Sequence, residues 1–437
     1  MSKNIRNKTQ ILKKIGIQQL NEMQQEAALA IDNSNEVLVL SPTGTGKTLA
    51  FLLPILEQLD PTSDCVQVVI IVPSRELAIQ IDRVWRAMGS GYKSNAVYGG
   101  RNFSKDKIEL KHAPAVLIGT PGRVSDHLFR NTIATTNIRT LILDEFDKSL
   151  EIGFETEMKT IVRSLATVKQ KILTSATHNA EIPSFVGIKE PLLVDFLSGK
   201  EEGNLEMKTV LSPSKDKVET LLQLLSNIGN KPGIIFCNYK DSIQRVSNYL
   251  TDNNVSHACF FGGMEQQDRE RALLKFRNGT HQLLLATDLA ARGIDIPDLG
   301  FIIHYHLPIK EQEFTHRNGR TARMHKGGIA YVLKWEKEKL PDFIPDLPSE
   351  TLEDLPVPEA SAWQTLFISG GRKDKISKGD VAGLLIKQGG LKGDEVGVIE
   401  LKQDCAFVAV KTNELSRLVD QLNNTRLKKK KVRIKEV

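Results

Sequence analysis

Short runs of aliphatic and β-branched residues, apolar at every position rather than every second one, recur through the first three quarters of this 437-residue chain. They read "EVLVL" (36–40), "QVVIIVP" (67–73), "APAVLIGTP" (113–121), "RTLILDE" (139–145), "QKILTSAT" (170–177) and "PLLVDF" (191–196). A strand that is apolar on both faces has to be covered on both faces, and the stretches between these runs, such as "RELAIQIDRVWRAM" (75–88), have helical periodicity. The pattern predicts a parallel sheet between layers of helices. After the polar segment "SGKEEGN" (198–204) the rhythm restarts with "KPGIIFCN", "HQLLLATD", "FIIHYHLP" and "GGIAYVLK", so the fold class expected is α/β with two tandem parallel-sheet domains, 1–200 and 204–336.

Residues 337–360 change character. Five prolines and seven acidic residues against two lysines make an extended acidic linker. Residues 361–437 then follow a β-α-β-β-α-β order, from "TLFISGG" through "SKGDVAGLLIKQ", "EVGVIELKQDCAFVAV" and "ELSRLVDQLNN" to "KKVRIKEV", which predicts a small α+β domain. Of the chain's net charge of +6, this last unit carries +7, leaving the other 360 residues at −1. A basic unit appended to a nearly neutral body fits an anionic polymer as partner, although charged surface runs are often merely solvated.

The rest of the composition is that of a soluble protein, and no apolar run approaches the length of a membrane span. The N-terminus is polar, without the apolar centre of a secretory signal. The four cysteines are scattered, with no metal spacing, so a reduced cytoplasmic setting without disulfides or zinc is expected, and a monomer is the default.

Chemistry enters with "LSPTGTGKT" (40–48), which lies between a strand and a helix-forming run. Thr43, Gly44, Thr45 and Gly46 form a loop whose backbone can curl around phosphate oxygens. Lys47 adds a cation for the outer phosphates and Thr48 a hydroxyl for Mg²⁺. Ser41 stands where the usual motif has its first glycine. Such a loop needs an acid at the tip of a nearby strand to hold the metal, and Asp144 is placed for that. Glu145 follows, able to orient or deprotonate a water. A protein that only bound nucleotide would not need this second acid.

Together with "PSREL" (73–77), "TPGR" (120–123), "SAT" (175–177), "ARGID" (291–295) and "FTHRNGRTAR" (314–323), these segments form an ordered series. In this order the chain resembles the DEAD-box RNA helicases of superfamily 2 over roughly residues 10–335. The resemblance implies two RecA-like domains that bind ATP and Mg²⁺ and grip RNA. By it Gln24 reads adenine and Asp295 approaches the ribose. Arg320 and Arg323 act as arginine fingers, a contribution worth about 10³–10⁵ in rate. Asp147, Ser175, Thr177, His316 and Arg317 couple nucleotide to RNA. Arg75, Gly100, Thr120, Arg123, Gln266, Arg269 and Thr287 line the RNA backbone.

Three departures stand out. Phe146 occupies the family's alanine position, which supplies no ligand, so hydrolysis is expected to survive if an enlarged pocket takes the ring. Leu20 and Asn21 replace the usual Pro-Thr, and no phenylalanine precedes them, which removes the expected adenine stacking while keeping Gln24. In "HYHLP" (304–308), His304 and His306 alternate on one strand face, but no third ligand is near enough in sequence to make metal the better reading.

The tail resembles the RNA-binding module of DbpA-type helicases, a variant of the RRM fold. Phe367 and Phe407 take the places of base-stacking aromatics, and Arg372, Lys373, Lys375 and Lys378 cluster beside the first strand. The alternative is that both rings pack against the linker or a neighbouring domain. The resemblance implies an ATP-dependent RNA helicase targeted by its tail to ribosomal RNA of the large subunit during ribosome assembly. Two other readings stay open: an ATP-gated RNA clamp with little turnover, and a DNA translocase of the same superfamily.

Overall fold

The computed structural model describes residues 6–42, 44–178, 181–197, 205–291, 299–321 and 327–437. The described residues up to 197 form one compact unit and those from 205 onward a second.

In the first unit the described strands are β1 (Glu36–Leu40), β2 (Val68–Ile71), β3 (Ser94–Val97), β4 (Val116–Gly119), β5 (Thr140–Leu143), β6 (Gln170–Ser175) and β7 (Leu192–Asp195). They make a parallel sheet in the order β3-β4-β2-β5-β6-β1-β7. The reason for the continuous apolar runs is visible in β2. Val68 and Ile70 join one hydrophobic cluster, while Val69 and Ile71 join the cluster on the opposite face. Every residue of β2, β4 and β5 is buried.

The second unit repeats the arrangement with β8 (Leu205–Ser212), β9 (Gly233–Phe236), β10 (His257–Phe260), β11 (Leu283–Ala286), β12 (Phe301–His304) and β13 (Gly328–Trp335), all parallel, in the order β10-β11-β9-β12-β13-β8. Three strands escape the apolar-run pattern: β3, β8 and β10. Each ends its sheet, where one side has no strand neighbour among the described residues and continuous apolarity is not required. In β3 Ser94 donates to Asp82 at 2.6 Å and the Asn95 amide nitrogen to Glu109 at 3.0 Å, while the buried Asn95 Oδ1 has no partner among the described residues.

The tail is an antiparallel sheet of β14 (Trp363–Ile368), β15 (Val396–Leu401), β16 (Ala406–Lys411) and β19 (Ile434–Glu436), in the order β15-β16-β14-β19. Its helices, Lys378–Gly383 and Leu415–Leu422, cover one face through Val381, Leu418 and Leu422. Before β19 the lysine-rich stretch "RLKKKK" (426–431) folds into a hairpin of β17 (Arg426–Leu427) and β18 (Lys430–Lys431).

The acidic linker is extended, and it is also fastened to the second unit. Thr209 of β8 donates its N–H to Pro348 and accepts from Glu350, Lys208 pairs with Glu350 at 2.7 Å, and Asn227 bonds both ways with the backbone of Glu353. Ile344 is buried beside Phe314 and Val332.

Candidate active site

In a parallel sheet the strand ends collect at one edge, and the loops leaving those ends are where ligands bind. In the first unit Ser41 follows β1, Arg75 comes after β2, Gly100 after β3, Thr120 after β4, Asp144 after β5, and Thr177 after β6. The sequence-derived residues thus share one sheet edge.

The loop after β1 is held from several sides. Ser41 ties it down: its hydroxyl meets that of Thr45 at 2.7 Å, and its N–H donates to the carbonyl of Ser175 at 3.1 Å. Gly44 and Gly46 have φ of 90° and 88°, the left-handed region glycine favours. At Gly46 a Cβ would also lie 2.4 Å from the Gln24 side-chain nitrogen, so another residue there would have to displace that amide from the loop. Helix Lys47–Gln58 starts immediately afterwards, with half-buried Thr48 in its first turn. The Lys47 ammonium is buried and donates to the carbonyls of Ser41 and Pro42.

Gln24 sits against this loop. It caps its own helix by accepting from the Asn21 N–H at 3.1 Å, while its amide donates to Gly46 at 3.3 Å. Asn21, in the place of the family's threonine, accepts from the Gln24 N–H and donates to the Thr45 carbonyl at 3.0 Å. The replacement therefore keeps a capping side chain and adds a tie to the loop.

Asp144 is buried, and its carboxyl is pushed up to about 6, first by burial and next by the neighbouring Glu145 charge, against a hydrogen bond from Thr174 and the Lys47 ammonium. A carboxylate so short of compensation is suited to a cation. Glu145 adopts the left-handed conformation, φ 49° and ψ 49°, and leads into helix Phe146–Glu151. Its N–H donates to the Thr174 hydroxyl at 3.1 Å. Asp147 is also buried, which raises its carboxyl against the pull of Lys148. One of its oxygens faces the Thr177 hydroxyl at 3.4 Å, while Oδ1 has no hydrogen-bond partner among the described residues. Ser175 accepts from the Thr177 N–H at 3.0 Å.

Phe146 has no exposed surface and belongs to a core cluster that includes Leu143, Met158 and Ile161. The ring is thus packed in the apolar core rather than exposed at the polar edge.

Along the same edge Arg75 lies over the glycine pair. A Cβ on Gly100, whose φ is 81°, would stand 2.5 Å from the Arg75 guanidinium. Thr120 stands at the N-cap position of helix Pro121–Phe129, which carries Arg123, without a side-chain capping bond. Arg123 pairs with Asp106 at 3.0 Å, and Asp106, with a fully buried side chain, also binds Arg101 at 3.2 Å and lies 3.5 Å from His127. Nothing in the sequence pattern marked Asp106 or Arg101; their part emerges only when helix Phe103–Leu110 is laid against Arg123.

In the second unit Arg269 reaches back to the Phe261 carbonyl at 3.2 Å and covers the Phe260 ring, Gln266 lies one helical turn from Glu270, and Thr287 follows β11. Arg317 is buried inside this unit. It grips Asp288 through two nitrogens at 2.7 and 2.6 Å, and reaches Asn238 and the His306 carbonyl. Its guanidinium is thus committed to partners that the motif pattern does not name. Arg320 is also buried, and His316 lies one turn before it on the same segment. His304 is buried with Nε2 3.0 Å from Asn318 and is pushed down to about 3 by burial and then by Arg317; His306 is lowered to about 4 by burial, Lys217 and Arg317. Both are neutral imidazoles. Thr43, Asp295 and Arg323 lie outside the described residues.

On the tail, Phe367 and Phe407 pair edge to face at 5.5 Å and are half-buried, with the Lys435 and Lys402 ammonium groups over their rings. Arg372, Lys373 and Lys375 occupy a short turn, to which the hairpin is tied by Lys430–Asp374 at 2.8 Å and by Lys428 donating to the Lys375 carbonyl at 2.6 Å; Lys428 also pairs with Asp380 of the following helix at 2.7 Å.

This edge, a glycine-permitted loop whose lysine faces the buried Asp144, with Glu145 next in the chain, is suited to a nucleoside triphosphate. Comparison with known proteins agrees. Residues 21–185 match the DEAD/DEAH box helicase family, 216–325 the helicase conserved C-terminal domain, and 365–436 the DbpA RNA binding domain. The ATP-dependent RNA helicase DbpA of Escherichia coli is 32% identical over 97% of this chain and 96% of its own length, and that of Bacillus subtilis 28% identical over the same shares. Among solved structures, Saccharomyces cerevisiae Dbp5 bound to RNA and ADP BeF3 superposes with a TM-score of 0.67 at 27% identity, covering 76% of this chain and 88% of that one. Mss116 bound to ssRNA and UDP-BeF gives 0.68 at 26% identity, covering 76% and 74%. No helix among the described residues is long and apolar enough to cross a membrane. Two RecA-like parallel-sheet domains and a small antiparallel RNA-binding domain, with this relative at this coverage, place the chain in the DEAD-box ATP-dependent RNA helicases of the DbpA type.

Proposed function

We propose that this helicase hydrolyses ATP at the edge defined by Gly44–Thr48 and Asp144–Glu145, and that the hydrolysis drives local unwinding of RNA duplexes or remodelling of ribonucleoprotein. The observation that carries the reading is the tie between the three loops: Thr174 touches both acids, and the next residue, Ser175, accepts from the phosphate loop at Ser41. Thr48 and Asp144 would hold Mg²⁺, whose chemistry there is to neutralise phosphate charge; the buried, poorly compensated Asp144 carboxyl fits that role. Lys47 neutralises outer-phosphate charge and Glu145 orients the water. Arg320 and Arg323 supply further positive charge to the transition state.

RNA is held by Arg75, Gly100, Thr120 and Arg123 in the first unit and by Gln266, Arg269 and Thr287 in the second. These are backbone-type contacts, which grip without reading sequence. Choice of target falls to the tail, and large-subunit ribosomal RNA in ribosome assembly is the target we assign, acting in the cytoplasm as a monomer. Domain limits of 1–200, 204–336 and 361–437, joined by 337–360, accommodate these roles.

Steady-state ATPase assays without RNA, with ribosomal RNA and with unrelated single-stranded RNA test the reading. Stimulation by ribosomal RNA well above the unrelated strand supports both engine and target. Equal stimulation removes the target. No turnover under any condition favours a clamp.

A further inference from the structure

We propose that Thr174 is a positioning residue for both acids of the hydrolytic site, a clamp through which the end of β6 fixes the Asp144 carboxylate and the Glu145 backbone together. The inference deepens the hydrolytic reading given above and rests on it. Thr174 is not among the residues that the motif series singles out, because it precedes "SAT" inside an apolar run.

Register explains how it gets there. β5 and β6 are parallel neighbours with Leu143 opposite Leu173, so the next residues, Asp144 and Thr174, come side by side at the sheet edge. Thr174 is buried, at 1% exposure. A buried hydroxyl has one proton to give and lone pairs to receive. Here it donates to Asp144 Oδ1 at 2.5 Å and accepts the Glu145 N–H at 3.1 Å. The second bond cannot run the other way, and it uses only a lone pair, which leaves the hydroxyl's single proton for an ionised Asp144.

The Glu145 bond has a further consequence. Glutamate in the left-handed region costs about 1–2 kcal/mol, and such a conformation persists only where surroundings enforce it. The Thr174 hydroxyl holds the amide of that very residue. It therefore sets the direction in which the Glu145 side chain leaves the strand end. Because the Ser175 carbonyl receives the Ser41 N–H and Thr177 faces Asp147, three of the four positions 174–177, at and just beyond the end of one strand, touch the metal-type acid, the water-type acid, the phosphate loop and the coupling acid. A shift of β6 cannot leave the acid pair where it was.

Thr174→Val removes the hydroxyl at nearly constant volume, and Thr174→Ser keeps it. Partners that orient such ligands commonly matter 10–100-fold. In the full chain, the gain in affinity for a fluorescent ADP analogue on adding Mg²⁺ should fall about tenfold in Thr174→Val. The kcat for ATP should fall by a similar factor, with the RNA concentration for half-stimulation within about twofold of wild type. Thr174→Ser should restore both. On an Asp144→Asn background, Thr174→Val should subtract nothing more from the Mg²⁺ gain. Wild-type values in Thr174→Val, or a serine variant as impaired as the valine one, overturn the proposal. If the valine protein does not fold, Thr174→Ala takes its place, with the same losses expected and the same overturning results. A wild-type chain without any Mg²⁺ gain would instead remove the hydrolytic reading, and this inference with it.

Discussion

The hydroxyl of Thr365, on the first strand of the tail, lies 2.7 Å from the hydroxyl of Thr280, which follows the helix Gln266–Arg277 of the second RecA-like domain, and both are buried. Asn278 reaches the same hydroxyl at 3.3 Å, Arg277 pairs with Glu400 at 2.6 Å, and Lys402 with Glu270 at 2.7 Å. Leu366 and Ile368 point into the tail's own core, so Thr365 shares the opposite face with Phe367. That face is therefore closed at one end by the helicase domain. The two phenylalanines, one register step along, are half-buried under Lys402 and Lys435. The tail is seated on the helix that carries Gln266 and Arg269, rather than swinging freely from its linker.

Reversing one charge in this seam should unseat the tail. Glu400→Lys places a lysine against Arg277, and losing such a largely shielded pair should cost roughly 1 kcal/mol, about fivefold in the seated population. Arg277→Glu combined with Glu400→Lys should restore it. Hydrogen exchange over 361–368 reads the difference directly, with faster exchange in the single variant and a return toward wild type in the double.

Phe146 offers a second test. Its ring has no exposure and belongs to the core cluster that holds Leu143, Met158 and Ile161. Phe146→Ala restores the residue usual in the family but leaves a void, and large-to-small changes of this kind cost about 3–5 kcal/mol. A marked fall in the melting temperature of the first domain is expected. Unchanged melting would mean that the neighbours collapse into the space.

How much of this could be seen in the sequence depended on what each residue had to satisfy. The central strands β2, β4 and β5 announce themselves because both faces are covered, as Val68 and Val69 show by entering opposite clusters. Edge strands such as β10, "HACF", face weaker demands and carry no comparable signal. Lys47, Asp144 and Glu145 stand out in the sequence because the phosphate chemistry we propose for them restricts residue type and order. Asp106 and Thr174 are not, since a carboxylate under Arg123 or a hydroxyl between two acids is defined by packing across elements far apart in sequence. Arg317 shows the converse: the motif identified the residue but not its bidentate partner Asp288.

The paired histidines of β12 and its following loop predict an acid limit to stability. Burial, followed by the Arg317 charge, holds His304 near 3, below the ordinary value of 6.5. The folded state thus prefers the neutral ring. Its contribution is fully present above pH 6.5 and is lost as pH falls from there toward 3, at up to about 1.4 kcal/mol per pH unit. His306, near 4, acts in the same direction. His304→Gln keeps a polar partner for Asn318 without a titrating group. Urea unfolding at pH 7 and pH 5 should show a smaller loss for this variant than for wild type, and an equal loss would place the acid sensitivity elsewhere.

Asp106 should govern RNA affinity without touching hydrolysis. It has a fully buried carboxylate between Arg101 and Arg123, and it is remote in the strand order from Asp144: β3 and β4, which flank its contacts, lie beyond β2 from β5. Replacing one partner of such a pair leaves the others buried and uncompensated, so Asp106→Ala would confuse folding with function. Asp106→Asn keeps the shape and can still accept a hydrogen bond from Arg123, but it no longer fixes both guanidinium groups by charge. The RNA concentration that half-stimulates the ATPase should rise by roughly fivefold to tenfold, corresponding to about 1–1.4 kcal/mol of lost positioning. The unstimulated rate and the KM for ATP should stay at wild-type values, because the phosphate loop and acid pair are untouched. Asp106→Glu, which retains the charge on a longer arm, should recover part of the RNA response. A fall in kcat with unchanged RNA dependence would instead assign Asp106 to the hydrolytic site.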